Sequence, residues 1–330
     1  MVSQKEAKYK IVFLTLFNKH SDIKLLTVDK GLVYNVKKAK RFALRKERNG
    51  RMAFVTTGEM LKKAQAGGYA VGAFNAENLE MAQAIIAAAE AEKAPVIIQT
   101  TPGTLKYAGP ECFAGLVSRL ARDAKVPAAL HLDHGNSYEL AEKCAREGYT
   151  SLMIDGSKLP YEENIALTRR VVAMAGSLPV EAELGTVGGK EDGMEARPQY
   201  TDPGQAADFV NRTGIGSFAV AIGTAHGIYK GEPKLDLDRL AEVRALVDIP
   251  LVLHGTSGVP EDQVRGCIAR GICKVNYATE LRQVFTAAVR KALADLPDAY
   301  DPKKYLAEGR KAVQARVQEL IRLLGSNGKA

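Results

Sequence analysis

The stretch LHLDHGNS, residues 130–137, places two histidines and an aspartate within five residues of an otherwise apolar segment, in a chain of 330 residues that holds five histidines in all. Imidazoles and carboxylates at such density point to metal ligation or to proton transfer. Three histidines with an open fourth position are the usual ligand set of a catalytic zinc, which polarises a carbonyl or activates water. His134, His226 and His254 are the candidates for that set. His131 lies two residues before Asp133, on the same face of an extended strand and one layer deeper, and reads as a supporting residue. His20 stands in the N-terminal stretch and takes no role.

Such a set needs a scaffold that brings distant segments to one place. From about residue 69 the chain alternates short apolar strands, read at 69–74, 95–100, 128–133, 151–155, 179–184, 217–223, 250–254 and 273–276, with amphipathic helical patterns such as NLEMAQAIIAAAEAEK and SYELAEKCAREG. Eight strand–helix units over roughly 250 residues predict a (β/α)8 barrel, that is, an α/β TIM barrel. A doubly wound open sheet is the alternative that periodicity leaves open, and the count of eight favours closure. A last amphipathic helix, within DPKKYLAEGRKAVQARVQELIRLLGS, is expected to cap the barrel or to join a subunit interface.

In such barrels chemistry gathers at the C-terminal ends of the strands. Asn75, Thr100 with Thr101, Asp133 with His134, Asp155, Glu183, His226, His254, and Asn276 with Thr279 follow strands one to eight in turn. Asp133 and His134 can both face the mouth only where the regular alternation of the third strand stops. Between strands five and six, ELGTVGGKEDGMEARPQYTDP holds four glycines and the acids Glu191 and Asp192, and is expected to be a mobile lid carrying a catalytic acid or base. HGTSG (254–258), NYATE (276–280) and HGIYKG (226–231, with Lys230) supply the amides and hydroxyls with which barrel loops hold phosphate.

Composition sets the bounds. With 46% hydrophobic and 25% charged residues the chain reads as a soluble globular protein. No apolar run reaches the ~18 residues of a membrane span, and IVFLTLF (11–17) lacks a cleavage site, so a cytoplasmic location is expected. The net charge of +8 is uneven: residues 1–52 carry 14 Lys and Arg against 4 Asp and Glu, while the other 278 carry 32 against 34. Basicity thus belongs to an extension, residues 1–51, expected to be disordered or to reflect a start codon placed too far upstream; residues 52–330 form one domain. Cys112, Cys144, Cys267 and Cys273 make no CxxC pair and read as reduced, mostly buried thiols.

AVGAFN, HLDHG, MIDGS, EAELGTVGGKEDG, AIGTAHGIYKG, VLHGTSG and KVNYATE, in that order across residues 52 to about 327, resemble the class II, zinc-dependent ketose-bisphosphate aldolases. The resemblance implies reversible cleavage of a ketose 1,6-bisphosphate to dihydroxyacetone phosphate and glyceraldehyde 3-phosphate. It implies His134, His226 and His254 as zinc ligands, Asp133 as the acid/base at the C3–C4 bond, and Glu191 as the lid acid. Asp155 and Glu183 resemble acids around a second, alternative metal position. Gly227, Gly255, Thr256, Ser257, Asn276, Tyr277, Ala278 and Thr279 resemble ketose-phosphate binding positions, with Asn75 and Thr101 nearby. A monovalent cation, a homo-oligomer (dimer or tetramer) and an accessory subunit are further implications. Lys190 stands where some members have a second acid. AIGTAHG and KVNYATEL look closer to tagatose-bisphosphate members than to fructose-bisphosphate ones.

Other readings leave residues unexplained. A Schiff-base aldolase would need a lysine in the barrel, and Lys274, in phase with Asn276, is expected instead to pair with Glu181 or another barrel acid. A non-catalytic supporting subunit would not need the whole ligand set. Nucleic-acid binding through the basic extension predicts a salt dependence that disappears with residues 1–51.

Overall fold

The computed structural model describes residues 53–191, 194–229 and 231–330; the extension up to Met52 lies outside the described residues. Helix α1 (Thr57–Gly67) leads into β1 (Val71–Asn75), α2 (Leu79–Glu92), β2 (Val96–Thr100), α3 (Pro102–Ala108), α4 (Pro110–Asp123), β3 (Ala128–Gly135), α5 (Tyr138–Glu147), β4 (Ser151–Ile154), α6 (Tyr161–Ala175) and β5 (Val180–Leu184). The hairpin β6 (Gly188–Glu191) and β7 (Met194–Ala196) follows, then α7 (Pro203–Thr213), β8 (Ser217–Val220), β9 (Ala225–His226), α8 (Leu237–Leu246), β10 (Leu251–Leu253), α9 (Glu261–Ile268), β11 (Ile272–Tyr277), α10 (Thr279–Asp295) and α11 (Pro302–Leu323).

Pro95, Pro127, Pro179 and Pro250 directly precede β2, β3, β5 and β10, where a missing N–H costs the ladder least. Asn78, Ser137, Asp202 and Asp236 cap the first turns of α2, α5, α7 and α8 through side-chain oxygens. Eight parallel strands close in the order β1-β11-β10-β8-β5-β4-β3-β2, the barrel that the strand count predicts.

Alternation along each strand divides the interior from the shell. Outward residues such as Phe74, Ile98, Leu130, Phe218 and Val275 join one large apolar cluster with the helices. Inward residues form layers. At the lower end Met60, Leu61 and Ala64 of α1 pack on Val71, Ala73, Ile97, Ala129 and Cys273, so α1 stoppers the barrel. Above them lie buried Gln99, His131, Glu181 and Lys274, and at the mouth Asn75, Asp133, His254 and Asn276.

Three local features differ from the sequence reading. The segment after β5 is not wholly irregular: β6 pairs antiparallel with β7 and parallel with β9. The strand read at 217–223 ends at Val220. Helix α11 packs on α2 and α10, along the flank of the barrel rather than over an end. Among the described residues all four cysteines are free, with Cys112 exposed and the others buried.

Candidate active site

Asp133 is held by amides from three strands. Its Oδ2 accepts from Asn75 Nδ2 and Gln99 Nε2, each at 3.1 Å, and its Oδ1 accepts from Asn276 Nδ2 at 3.0 Å. Gln99 also donates to Asn75 Oδ1 at 2.8 Å, which fixes the pair. The carboxylate is therefore aimed before any ligand arrives.

His134 follows at φ 47°, a left-handed backbone that histidine tolerates better than most residues. There the ladder between β3 and β4 slips, between Leu132 and Gly135. The break turns both neighbouring side chains toward the mouth, as the adjacency of an acid and a ligand candidate demands. Gly135 belongs to the same device, because a Cβ would overlap the Met153 carbonyl oxygen.

The imidazoles of His134, His226 and His254 meet edge to face, with ring centroids 4.5 Å apart for His134 and His254 and 4.8 Å apart for His134 and His226. One ring nitrogen from each lies within 4.8 Å of the others. His134 Nδ1 stands 2.8 Å from Asp155 Oδ2, and His254 Nε2 stands 2.8 Å from Glu181 Oε1. A carboxylate oxygen accepts, so those two nitrogens carry the hydrogens. The remaining nitrogens, His134 Nε2 and His254 Nδ1, then face each other at 2.7 Å as two lone pairs. Two such lone pairs repel unless a proton or a metal ion lies against them, and with the third imidazole beside them the donor set fits a metal ion.

Electrostatics agree. Burial, followed by the neighbouring His134, lowers the His254 imidazole to about 4, so the ring is neutral at pH 7. Burial alone would raise the Asp155 carboxyl, but the hydrogen bonds from His134 and Ser157 outweigh it and hold the group well below the usual carboxylate range. His134, Asp155 and Glu183 make a second group whose ligand atoms come within 4.8 Å of one another.

His226 reaches the cluster through β9, whose backbone pairs with the hairpin: Gly188 with Ala225, and Gly189 with His226. Gly189 has φ 89°, and a Cβ there would overlap the His226 carbonyl oxygen. Tyr229 Oη ties the same turn to the next loop, accepting from Ala225 N–H at 2.7 Å and donating to the Gly255 carbonyl at 2.8 Å. Glu191 ends β6 two residues past Gly189. Its side chain, and the whole of Asp192, Gly193 and Lys230, lie outside the described residues.

One cleft joins these groups to the candidate phosphate loops: Asn75, Asp133, His134, His226 and Asn276 line it together with Gly227, Gly255, Thr256, Ser257, Ala278 and Thr279. Thr101 is buried and spends its hydroxyl capping α3. The Tyr277 side chain is not brought to the mouth, because β11 alternates over its last residues: with Asn276 inward, the Tyr277 ring turns outward and stacks on Phe74 at 6.0 Å. Gln99 and Tyr229 were not picked out from the sequence. Gln99 left one signal, a lone amide in the apolar strand VIIQT at an inward position.

The architecture is that of a (β/α)8 enzyme whose mouth carries two residue groups able to hold a metal ion. Residues 55–329 match the family described as Fructose-bisphosphate aldolase class-II, and the chain belongs to that family, which makes it a lyase of the aldolase type. A fructose-bisphosphate aldolase of Geobacillus stearothermophilus is 46% identical over 285 residues, covering 84% of this chain and 99% of that protein. The crystal structure of the YdjI aldolase from Escherichia coli K12 superposes with a TM-score of 0.75 at 38% identity, over 84% of this chain and 99% of that one. A putative fructose-1,6-bisphosphate aldolase from Coccidioides immitis gives 0.75 at 32% identity, over 82% and 96%.

Proposed function

We propose that this chain is a zinc-dependent aldolase that reversibly cleaves a ketose 1,6-bisphosphate, and that His134, His226 and His254 hold the metal. The observation that carries the reading is the pair of ring nitrogens facing each other at 2.7 Å while their opposite nitrogens are committed to Asp155 and Glu181, beside an aimed Asp133. When bound there, zinc supplies Lewis-acid polarisation of the substrate ketone. Asp133 takes the proton of the C4 hydroxyl as the C3–C4 bond breaks, which releases the aldehyde half and leaves the electron pair on C3 of the ketone half. Glu191 returns a proton to that carbon, and the strand that carries it is tied by backbone pairing to His226. Amides and hydroxyls of Gly227, Gly255, Thr256, Ser257, Ala278 and Thr279, with Lys230, orient the phosphate of the ketone half. Asn75 and Asn276 position Asp133.

Asp155 and Glu183 are read as acids of an alternative position for the same metal, which shares His134 with the first; a monovalent cation is a further proposed cofactor. The domain is residues 52–330, a reading supported by a family match that begins at 55, with residues 1–51 outside the catalytic unit. Free, mostly buried thiols suit a reducing, cytoplasmic compartment. Among the described residues no helix is long and apolar enough to cross a membrane. A homo-oligomer, active without an accessory subunit, is the proposed assembly.

Fructose and tagatose 1,6-bisphosphate differ only at C4. The name of the 46% identical relative supports fructose 1,6-bisphosphate as the substrate. AIGTAHG and KVNYATEL, the stretches behind the sequence expectation, favour tagatose 1,6-bisphosphate as a second reading. The test is cleavage of the two sugars side by side by zinc-loaded protein. A higher kcat/KM for fructose 1,6-bisphosphate is expected; a higher value for tagatose reverses the order, and cleavage of neither contradicts the proposal.

A further inference from the structure

Beneath the three histidines the barrel encloses a charge pair that the proton transfers above do not use. Lys274 on β11 and Glu181 on β5 are 0% and 1% exposed, with Nζ 2.9 Å from Oε2 and 3.1 Å from Oε1. Glu181 is one of the barrel acids with which an inward Lys274 is expected to pair. Glu181 Oε1 is also the oxygen that accepts the Nε2 hydrogen of His254. Its Oε2 is approached by Ser217 Oγ at 3.4 Å and lies 3.8 Å from His131 Nε2.

A buried ion pair is weak support for stability, since apolar residues of similar volume often serve a core as well or better. This pair is placed instead where charge matters. A carboxylate gripping the His254 N–H pushes electron density through the ring toward Nδ1, the nitrogen turned to the metal centre. Left unbalanced, it would drive the ring toward imidazolate character and cancel part of the charge of any cation held there. Lys274, bonded to both carboxylate oxygens, offsets that charge one ring away from the site.

We propose that Glu181 and Lys274 act as one charge-balanced positioning unit: Glu181 fixes the direction of His254 through its hydrogen bond, and Lys274 holds Glu181 in place and balances its charge. The inference rests on the reading of His254 as a metal ligand.

The test titrates cobalt(II) alone into metal-stripped wild type, Glu181→Gln, Lys274→Met and the double variant, recording visible spectrum, dissociation rate, kcat and thermal midpoint. Glutamine can still accept the His254 hydrogen, but it leaves Lys274 uncompensated. Glu181→Gln is expected to weaken cobalt binding about 10–100-fold, the usual scale for a residue that orients a ligand. Lys274→Met is expected to hold cobalt at least as tightly as wild type, with a shifted absorption band and a kcat lowered about tenfold. The double variant is expected to regain most of the affinity lost in Glu181→Gln. Opposed signs in the single variants, relieved in the double, mark charge balance. Parallel loss of cobalt and stability in both, with no relief in the double, overturns the proposal. Where Lys274→Met does not fold, Lys274→Arg keeps the charge and should keep the wild-type spectrum; a changed spectrum overturns the proposal. Wild-type cobalt binding in every variant overturns this inference alone, whereas a wild type that binds no cobalt removes the ligand reading with it.

Discussion

Asp133 and His134 are consecutive in the chain, and a regular strand would turn one of them away from the mouth. The left-handed φ of His134 and the register slip that ends at Gly135 let both in. Their environments then separate their roles: His134 has one nitrogen bonded to Asp155 and the other turned to His254, whereas Asp133 is gripped by Asn75, Gln99 and Asn276. Asp133→Asn keeps the shape and removes the proton acceptor. Its zinc content should match wild type, and its kcat should fall by about 10²–10⁴, the usual range for a lost general base, with both read on one preparation. Loss of zinc in step with activity would make Asp133 a ligand instead. The sequence showed the three histidines and Asp133 because polar residues stand out at the ends of apolar strands. The direction of the Tyr277 ring is not legible in the motif NYATE, because it is set by strand alternation, which turns the ring onto Phe74.

At the scale of elements, the hairpin after β5 stands beside the strand that carries His226. Its first strand lies backbone to backbone with the two-residue strand that carries His226, so the segment bearing Glu191 is tied to a ligand candidate. Gly189 makes the approach possible, since its φ of 89° and the nearby His226 carbonyl both exclude a Cβ. Gly189→Ala should cost about 1–3 kcal/mol locally, because a non-glycine residue is strained there, and should push β6 away from β9. The expected result is a kcat at least about tenfold lower with a thermal midpoint within a few degrees of wild type, the mark of local rather than global damage. A fully active variant would show that the pairing does not position the site. These strands were invisible in the sequence for a physical reason: at two to four residues, with two glycines in β6 and pairing only with each other, they show no apolar alternation to read. The barrel strands, by contrast, are apolar runs set off by prolines and separated by amphipathic helices.

For the whole molecule, closure of eight strands brings together side chains far apart in the chain: Asn75 on β1 and Asn276 on β11 both donate to Asp133. The apolar stopper around α1, the buried polar layer of Gln99, His131, Glu181 and Lys274, and the mouth above them form a graded interior. Strand count and strand-end chemistry made that plan legible in advance. What the sequence did not carry was the depth order of the layers, which arises from register between strands and not from any one strand. The central claim is that a metal held by His134, His226 and His254 is required for aldol cleavage. Its most direct test is to strip the purified protein with a chelator, then restore zinc in measured steps while following metal content and cleavage of ketose 1,6-bisphosphate. The account requires activity to vanish on stripping and to return in proportion to occupancy, saturating at one zinc per chain; full activity in a demonstrably metal-free preparation would contradict it.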